Sequence, residues 1–198
     1  MIEIVDKKNC VGCNACTEIC PFDCIPLIND EEGFFYPKID HSVCVDCPIC
    51  DRVCPITDKL PETSNLIPYI KKAEILRYDE PLVYASYSTN HEIRIDSTSG
   101  GIFSELAFKM FDEGGYVGGA VYNDDFSVSH ILTNDRERLP DIRSSKYVLS
   151  LTDKLFPDVQ EKLKSGNKVL VCGAPCQIVA LYAFLKQDYK NLVTCDFV

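Results

Sequence analysis

The sequence predicts an α+β protein in which a small cysteine-rich domain, residues 1–58, precedes an α/β domain, residues 82–198. Nine of the twelve cysteines fall within residues 10–54. Strand and helix patterns alternate from residue 82 onward, which is typical of an α/β domain. Residues 59–81 contain three prolines and the polar run PETSN. We interpret them as a connector, because proline removes a backbone donor and interrupts regular structure.

The cysteines of the first domain indicate its chemistry. The N-terminal segment MIEIVDKKNC lacks the pattern of an export signal. No apolar run approaches the roughly 18 residues that a membrane span requires. We therefore expect a cytoplasmic protein whose thiols are kept reduced, where dense cysteine indicates metal binding more often than disulfides.

Eight of these cysteines form two copies of one motif, C-x2-C-x2-C-x3-C-P, with a repeat period of 34 residues. In such a run the first three thiolates bind one [4Fe–4S] cluster, and the fourth binds the other cluster. The spacing predicts two clusters, one held by Cys10, Cys13, Cys16 and Cys54 and the other by Cys44, Cys47, Cys50 and Cys20. Zinc is the alternative, but zinc motifs pair two ligands with two across longer gaps.

Residues 1–58 thus resemble a bacterial-type two-cluster ferredoxin, a small fold of two pseudo-repeated halves with its clusters inside. The resemblance implies electron transfer. Cys24 occupies a place where such ferredoxins usually carry a small apolar residue, and we interpret it as a buried thiol that is not a ligand. Pro48 follows a predicted ligand and lacks an N–H that could bond a cluster sulfur, which predicts a slightly lower potential for that cluster.

The charge of the chain bears on its partners. The net charge is −10, and residues 1–60 carry eleven acidic and five basic residues, about −6. An acidic surface disfavours nucleic acid and suits a redox partner protein or subunit with a basic surface. Plain solubility is the alternative explanation.

The second domain is predicted to begin with a strand, LVYASYS, at residues 82–88. A helix follows at 100–115, with apolar pairs at i, i+4 spacing on one buried face and a stop at Gly114. The remaining elements are strands at 116–122 and 127–133 joined by the turn NDD, a helix at 152–164, a strand at 168–173, a helix at 174–186 and a strand at 191–198. Because the last strand runs to the final residue, we expect the chain to be a fragment of a longer protein.

Two segments of this domain suit an anion. In STSGGIF, residues 97–103, the small residues Ser99, Gly100 and Gly101 at a helix start leave backbone N–H groups open. A plain serine N-cap is the alternative. In RSSKYVLS, residues 143–150, Arg143 and Lys146 could pair with a phosphate or with the electron-rich edge of a flavin. A solvated basic loop is the alternative there.

A third segment, GAPCQI, lies between a predicted strand and helix at the carboxyl edge of the sheet, where ligands collect. Its candidate residues are Ala174, Cys176 and Gln177. The helix dipole favours a thiolate at Cys176, with a lowered pKa; a buried inert thiol is the alternative. Cys172 and Cys195 fall in apolar strands and are predicted to belong to the core.

The motifs STSGG, R-x2-KYV and G-A-P-C-Q, in this order behind the cysteine motifs, resemble the coenzyme F-420 hydrogenase/dehydrogenase beta-subunit family across the whole chain. The resemblance implies an iron–sulfur flavoprotein oxidoreductase that passes electrons between its clusters, an FAD and a deazaflavin or another acceptor. The three segments would contact the FAD, and no catalytic residue is assigned. The family normally continues past a segment like TCDFV, with a Cys-His-Gly stretch and a C-terminal region.

Two other functions remain open at this point. In the first, the chain is a ferredoxin-type electron-transfer module whose second domain only docks a partner. In the second, it is a truncated remnant without catalysis. A flavin that stays bound through gel filtration would separate the oxidoreductase from the module.

Overall fold

The computed structural model describes residues 6–56 and 82–197. Contacts divide these residues into two compact units, one of residues 6–56 with 175–188 and the other of residues 82–174 with 189–197. The predicted connector, residues 59–81, lies outside the described residues. The domain bounds 1–58 and 82–198 stay a prediction, and the contacts group residues 175–188 with the first unit rather than the second.

The described residues contain six α-helices and seven strands. The helices are α1 (Ala15–Glu18), α2 (His91–Ile95), α3 (Ile102–Asp112), α4 (Leu139–Ile142), α5 (Leu155–Lys164) and α6 (Pro175–Leu185). The strands are β1 (Leu27–Asn29), β2 (Phe35–Pro37), β3 (Tyr116–Tyr122), β4 (Val128–Thr133), β5 (Ser150–Leu151), β6 (Val169–Gly173) and β7 (Leu192–Asp196). Helices and sheets occur together in both units, which confirms the predicted α+β class.

The first unit is built from short elements around buried cysteines. Strands β1 and β2 pair antiparallel, with Leu27 opposite Pro37. Their turn is closed by the Asp30 carboxylate, which accepts the backbone N–H of Phe34 at 2.9 Å. Helix α6 packs against α1 within this unit. Such short elements bury little apolar surface, so cysteine side chains make up much of the core.

The second unit contains a five-stranded mixed sheet in the order β5-β4-β3-β6-β7. Strands β3 and β4 form an antiparallel hairpin, and the other three neighbouring pairs are parallel. The segments at 116–122 and 168–173 are rich in valine, which fits a pleated buried surface. One core cluster joins α3, α4 and the sheet, and it consists of Ala107, Met110, Val117, Val121, Leu139, Ile142 and Leu170.

The buried face of α3 differs from the prediction. Ala107 and Met110 are buried as expected, but Ile102 and Leu106 are 39 % and 38 % exposed. The apolar residues at i, i+4 spacing cover a wider stripe of the helix surface than the part that packs against the sheet. The helix reaches Asp112 and is followed by Gly114 with φ of +72°, so the predicted stop is confirmed.

The predicted strand at 82–88 is wrong. Residues 82–87 form no helix or strand, and Leu82 and Val83 are 79 % and 87 % exposed. The apolar pattern was typical of a strand, but both edges of the described sheet are formed by other strands, β5 and β7. Prediction also missed α2, whose N-cap Asn90 accepts the N–H groups of Glu92 and Ile93.

Within the described ranges, no helix is long and apolar enough to cross a membrane.

Candidate metal centres and ligand cleft

The two cysteine motifs share the same backbone hydrogen bonds at their first cysteine. The N–H of Cys10 donates to the Asp6 carbonyl at 3.2 Å, and the N–H of Cys44 donates to the Asp40 carbonyl at 2.9 Å. Each aspartate side chain also accepts a backbone N–H two residues further along. These Asx turns fix the entry of both cysteine loops in the same way.

The loops also share an unusual backbone angle between their first and second cysteines. Gly12 has φ of +63° and Asp46, 34 residues later, has φ of +55°. Glycine adopts this left-handed conformation freely, and aspartate is among the few other residues that tolerate it. The turn directs successive thiols into one shared space.

Four thiols of the first predicted set line one cavity. Its walls are Cys10, Val11, Gly12, Cys13, Asn14, Cys16, Pro37, Cys54 and Ile56, around about 370 Å³ of empty space that includes the open mouth. Cys54, the last cysteine of the second motif, thus lies with the first three cysteines of the first motif.

A second cavity gathers the other predicted set. Its walls are Cys20, Pro21, Phe22, Cys24, Ile25, Cys44, Val45, Cys47, Ile49 and Cys50, around about 270 Å³. The fourth cysteine of each motif therefore lines the cavity of the other motif. Four thiols with apolar walls suit a [4Fe–4S] cluster, which takes one thiolate on each iron and is screened from water by apolar neighbours.

The arrangement differs from a site for a single ion. Among residues 6–56 and 82–197, no three His, Cys, Asp or Glu side chains gather closely enough to hold one metal ion. The thiols of each set instead surround a space, as the separate iron corners of a cluster require.

Burial governs the acidity of these thiols. It raises the pKa of Cys13 to about 12 and also raises the pKa of Cys16 and Cys50. A thiol in such surroundings keeps its proton at neutral pH unless iron replaces it. Binding of a cluster here would release protons.

Cys24 is the fifth thiol in the second cavity and is buried. Its Sγ lies 3.4 Å from Sγ of Cys20. Burial acts to raise the pKa of Cys20, but hydrogen bonds from the Cys24 and Phe22 backbone and from the Cys24 thiol hold it below its ordinary value. Burial was predicted for Cys24, whereas its contact with a predicted ligand was not.

The second unit contains an open cleft with about 630 Å³ of empty space, a volume that includes open solvent at its mouth. It is lined by Ser86, the run Ser97–Ser104, Arg143 and Ser144. The cleft therefore brings together the predicted residues Ser99, Gly100, Gly101 and Arg143. The sequence pattern does not indicate Ser86 or Ser144 as site residues, and it predicts a strand for the segment that contains Ser86.

The start of α3 forms one wall of this cleft. Gly101 is its N-cap with φ of +81°, and no side chain among the described residues caps the helix. The Gly100 carbonyl accepts the Ser88 N–H at 2.6 Å, which draws the two segments together. A Cβ at Gly100 would collide with the Ser86 carbonyl oxygen, so only glycine fits this approach.

The two predicted cations do different things. Arg143 lines the cleft, and its Nη1 pairs with Asp96 at 3.1 Å. Its Nε is buried and has no partner among the described residues. Lys146 does not line the cleft; its Nζ donates to three carbonyls at the end of α4, those of Asp141, Ile142 and Arg143.

The residues of the third predicted segment are divided between the units. Ala174 follows β6 in the second unit and does not line the cleft. Cys176 and Gln177 lie in the first turn of α6, in the first unit. Burial raises the pKa of Cys176. The expected lowering by the helix dipole is therefore wrong, because desolvation outweighs the backbone hydrogen bonds there.

Comparison with known families and proteins gives two findings. Residues 9–57 match the family model described as a 4Fe-4S dicluster domain. No curated protein matches the chain. The matched residues cover both cysteine motifs and both thiol-lined cavities. Residues 9–57 are therefore a 4Fe-4S dicluster domain of the ferredoxin type, whose chemistry is iron–sulfur electron transfer.

Proposed function

We propose that this chain is an electron-transferring subunit of an FAD-dependent oxidoreductase, with the FAD held in the cleft of the second unit. The observation that carries the proposal is Arg143. Arg143 lines the cleft, and its buried Nε has no partner among the described residues. A buried donor without a partner is unfavourable, and a phosphate oxygen would satisfy it.

The helix start beside Arg143 supports the same ligand. The first backbone N–H groups of α3 receive no side-chain cap from residues 6–56 or 82–197, and helix N-termini favour anions. A diphosphate between Arg143 and Gly101 would receive hydrogen bonds from both sides. The resemblance of the chain's motifs to iron–sulfur flavoproteins selects FAD among possible diphosphates.

The residues have separate tasks in this mechanism. Clusters carry single electrons and FAD takes electrons in pairs, so together they convert between the two kinds of transfer. The eight motif cysteines would hold the iron, and their apolar neighbours would exclude water. Arg143 and the α3 N-terminus would position the diphosphate. A basic partner protein would dock on the acidic surface and exchange electrons, with a deazaflavin or another molecule as acceptor.

The test is an anaerobic titration of the full chain with FAD, followed by flavin fluorescence. Arg143→Gln removes the charged donor and is expected to weaken FAD binding roughly 10- to 100-fold, the worth of a charge-assisted hydrogen bond. Arg138→Gln is the matched control, since Arg138 pairs with Asp141 and does not line the cleft.

Equal affinity of wild type and Arg143→Gln for FAD would show that Arg143 does not contribute to FAD binding. Failure of both wild type and Arg138→Gln to bind FAD would favour the other function considered, an electron-transfer module whose second unit only docks a partner.

A further inference from the structure

Cys172 and Cys195 face each other across two neighbouring strands of the second unit. Cys172 is on β6 and Cys195 is on β7, and the two are direct partners in this parallel pair. Side chains at paired positions project from the same face of a sheet. The two thiols are hydrogen-bonded to each other.

The spacing of the strands permits a disulfide. Neighbouring strands lie about 4.7–4.9 Å apart, and disulfides join residues whose Cα atoms are about 4.4–6.8 Å apart. A disulfide also needs Cβ atoms about 3.5–4.5 Å apart, so a Cys172–Cys195 bond requires side-chain rotation and a small approach of the two strands, to which β7 contributes as an edge strand of the described sheet.

The pair is within reach of a small reagent. Both cysteines are half-buried rather than enclosed, and β7 is an edge strand of the described sheet. Val193, two residues earlier on the same face as Cys195, is 45 % exposed. One side of Cys195 packs on the core cluster that contains Leu170.

The two thiols are electrostatically unequal. The hydrogen bond from Cys172 lowers the pKa of Cys195, although burial and the charge of Asp196 oppose this. The same hydrogen bond, together with burial, raises the pKa of Cys172. The positive charge of Lys146 acts in the opposite direction and is outweighed. Cys195 is thereby the more acidic thiol of the pair and forms the nucleophilic thiolate more readily than Cys172 does.

We propose that Cys172 and Cys195 form a redox-active dithiol that undergoes exchange with low-molecular-weight disulfides. The Cys195 thiolate attacks one sulfur of the small disulfide, forms a mixed disulfide and releases one thiolate. Cys172 then loses its proton and attacks Sγ of Cys195, which closes the Cys172–Cys195 bond and releases the second thiolate. Two protein thiols are oxidised by two electrons, one small disulfide is reduced to two thiols, and the protons pass to the released thiolates.

This site is separate from the proposed flavin function and does not rest on it. Neither cysteine lines a cluster cavity or the cleft of the second unit. The dithiol would be a second redox site, which stores two electrons when reduced. Its oxidation state would depend on the ratio of small thiols to disulfides in solution.

The test treats the full chain, with its iron clusters assembled, with glutathione disulfide under argon. Unreacted thiols are then alkylated, and digested peptides are analysed by mass spectrometry. The expected product is a peptide pair linked through Cys172 and Cys195. Cys172→Ser should instead stop at glutathione bound to Cys195. Cys195→Ser should leave Cys172 at least about tenfold slower to react, because Cys172 forms a thiolate less readily. Cys176→Ser is the matched control and should form the link as wild type does.

Three results would overturn the proposal. In the first, both thiols of the wild type remain open to alkylation at every glutathione ratio. In the second, Cys195 links to Cys176 instead. In the third, Cys172→Ser and Cys195→Ser react equally fast. Iron content and far-UV circular dichroism are measured on each variant, so that loss of the fold is not mistaken for loss of the site.

Discussion

The thiols of Cys20 and Cys24 lie 3.4 Å apart, and both line the second cavity of the dicluster domain. If Cys20 is a ligand of the second cluster, then Cys24 can donate its S–H to the ligand sulfur. Hydrogen bonds to cluster sulfurs stabilise the reduced state, which carries more negative charge.

Replacing Cys24 by Ala is expected to lower the potential of the second cluster by roughly 10–40 mV, the electrochemical equivalent of part of one hydrogen bond. Redox titration followed by electron paramagnetic resonance measures both clusters. Cys24→Ser keeps a donor and should stay near the wild-type value. An unchanged potential in Cys24→Ala would show that Cys24 only fills space.

The crossed arrangement of the thiols predicts which cluster each mutation damages. Cys54 lines the cavity of Cys10, Cys13 and Cys16, so Cys54→Ala should damage the same cluster as Cys13→Ala. Spectra that instead match those of Cys47→Ala would contradict the crossing.

The reciprocal test of crossing concerns Cys20. Because the Cys24 thiol is close enough to replace that of Cys20, we expect full loss of the second cluster only in the double variant Cys20→Ala/Cys24→Ala. The single variant Cys24→Ala is the control.

Metal content follows from the same two cavities. Anaerobically reconstituted protein is expected to contain about eight iron and eight sulfide per chain, as two four-iron clusters require. Colorimetric iron and sulfide assays with inductively coupled plasma spectrometry measure these values. Iron near four per chain after full reconstitution, or stoichiometric zinc, would contradict two clusters.

His130 predicts an acid-dependent loss of stability in the second unit. It is buried on β4, its Nδ1 has no partner within the described part of the chain, and burial lowers its pKa from 6.5 to about 4. Below pH 6.5 His130 binds a proton in the unfolded chain but stays neutral in the folded chain. The free energy of unfolding therefore falls as pH falls towards 4. The loss between pH 7 and pH 5 is about 2 kcal/mol.

The variant His130→Gln removes this titration but keeps an N–H donor. Its free energy of unfolding should therefore decrease by about 2 kcal/mol less than that of wild type between pH 7 and pH 5. Urea unfolding followed by circular dichroism under argon measures both proteins. Parallel pH profiles would exclude His130 as the cause.

Gly100 is predicted to be the least replaceable glycine of the cleft. In Gly100→Ala the new methyl would press on the Ser86 carbonyl oxygen and approach Cα of Tyr87 at 3.3 Å. The expected loss of stability is about 1–3 kcal/mol, measured by urea unfolding. The control Gly114→Ala, with φ of +72° and no described heavy atom within 4 Å of the new methyl, should lose about 1–2 kcal/mol that comes from its left-handed backbone and not from a steric contact. Equal stability of Gly100→Ala and wild type would show that the backbone moves aside.

Sequence and structure agree best where a residue's role is set by its near neighbours along the chain. The two cysteine motifs, the end of α3 at Gly114 and the buried strand β6 were all predictable in this way. The segment at 82–88 was not, since strand formation needs a partner edge and sequence periodicity carries no information about one. The sequence predicts Lys146 as a ligand cation, but its position near the end of α4 lets its Nζ donate to three backbone carbonyls instead. The burial of Cys176 likewise depends on packing by residues distant in sequence. That burial raises the pKa of Cys176, whereas the sequence predicts a lowered pKa.

Because each cavity is lined by cysteines from both motifs, two bound clusters would close two loops in the chain of the dicluster domain. One closure would join the loop beginning at Cys10 to Cys54, and the other would join Cys20 to the loop beginning at Cys44. The first closure spans most of the domain and the second about half of it, so each would restrict the unfolded chain somewhat more than a cluster held within a single motif. Neither half contains all four thiols for its own cavity. Assembly of the two clusters should therefore be mutually dependent, with the second half of the domain needed before the first cluster is complete.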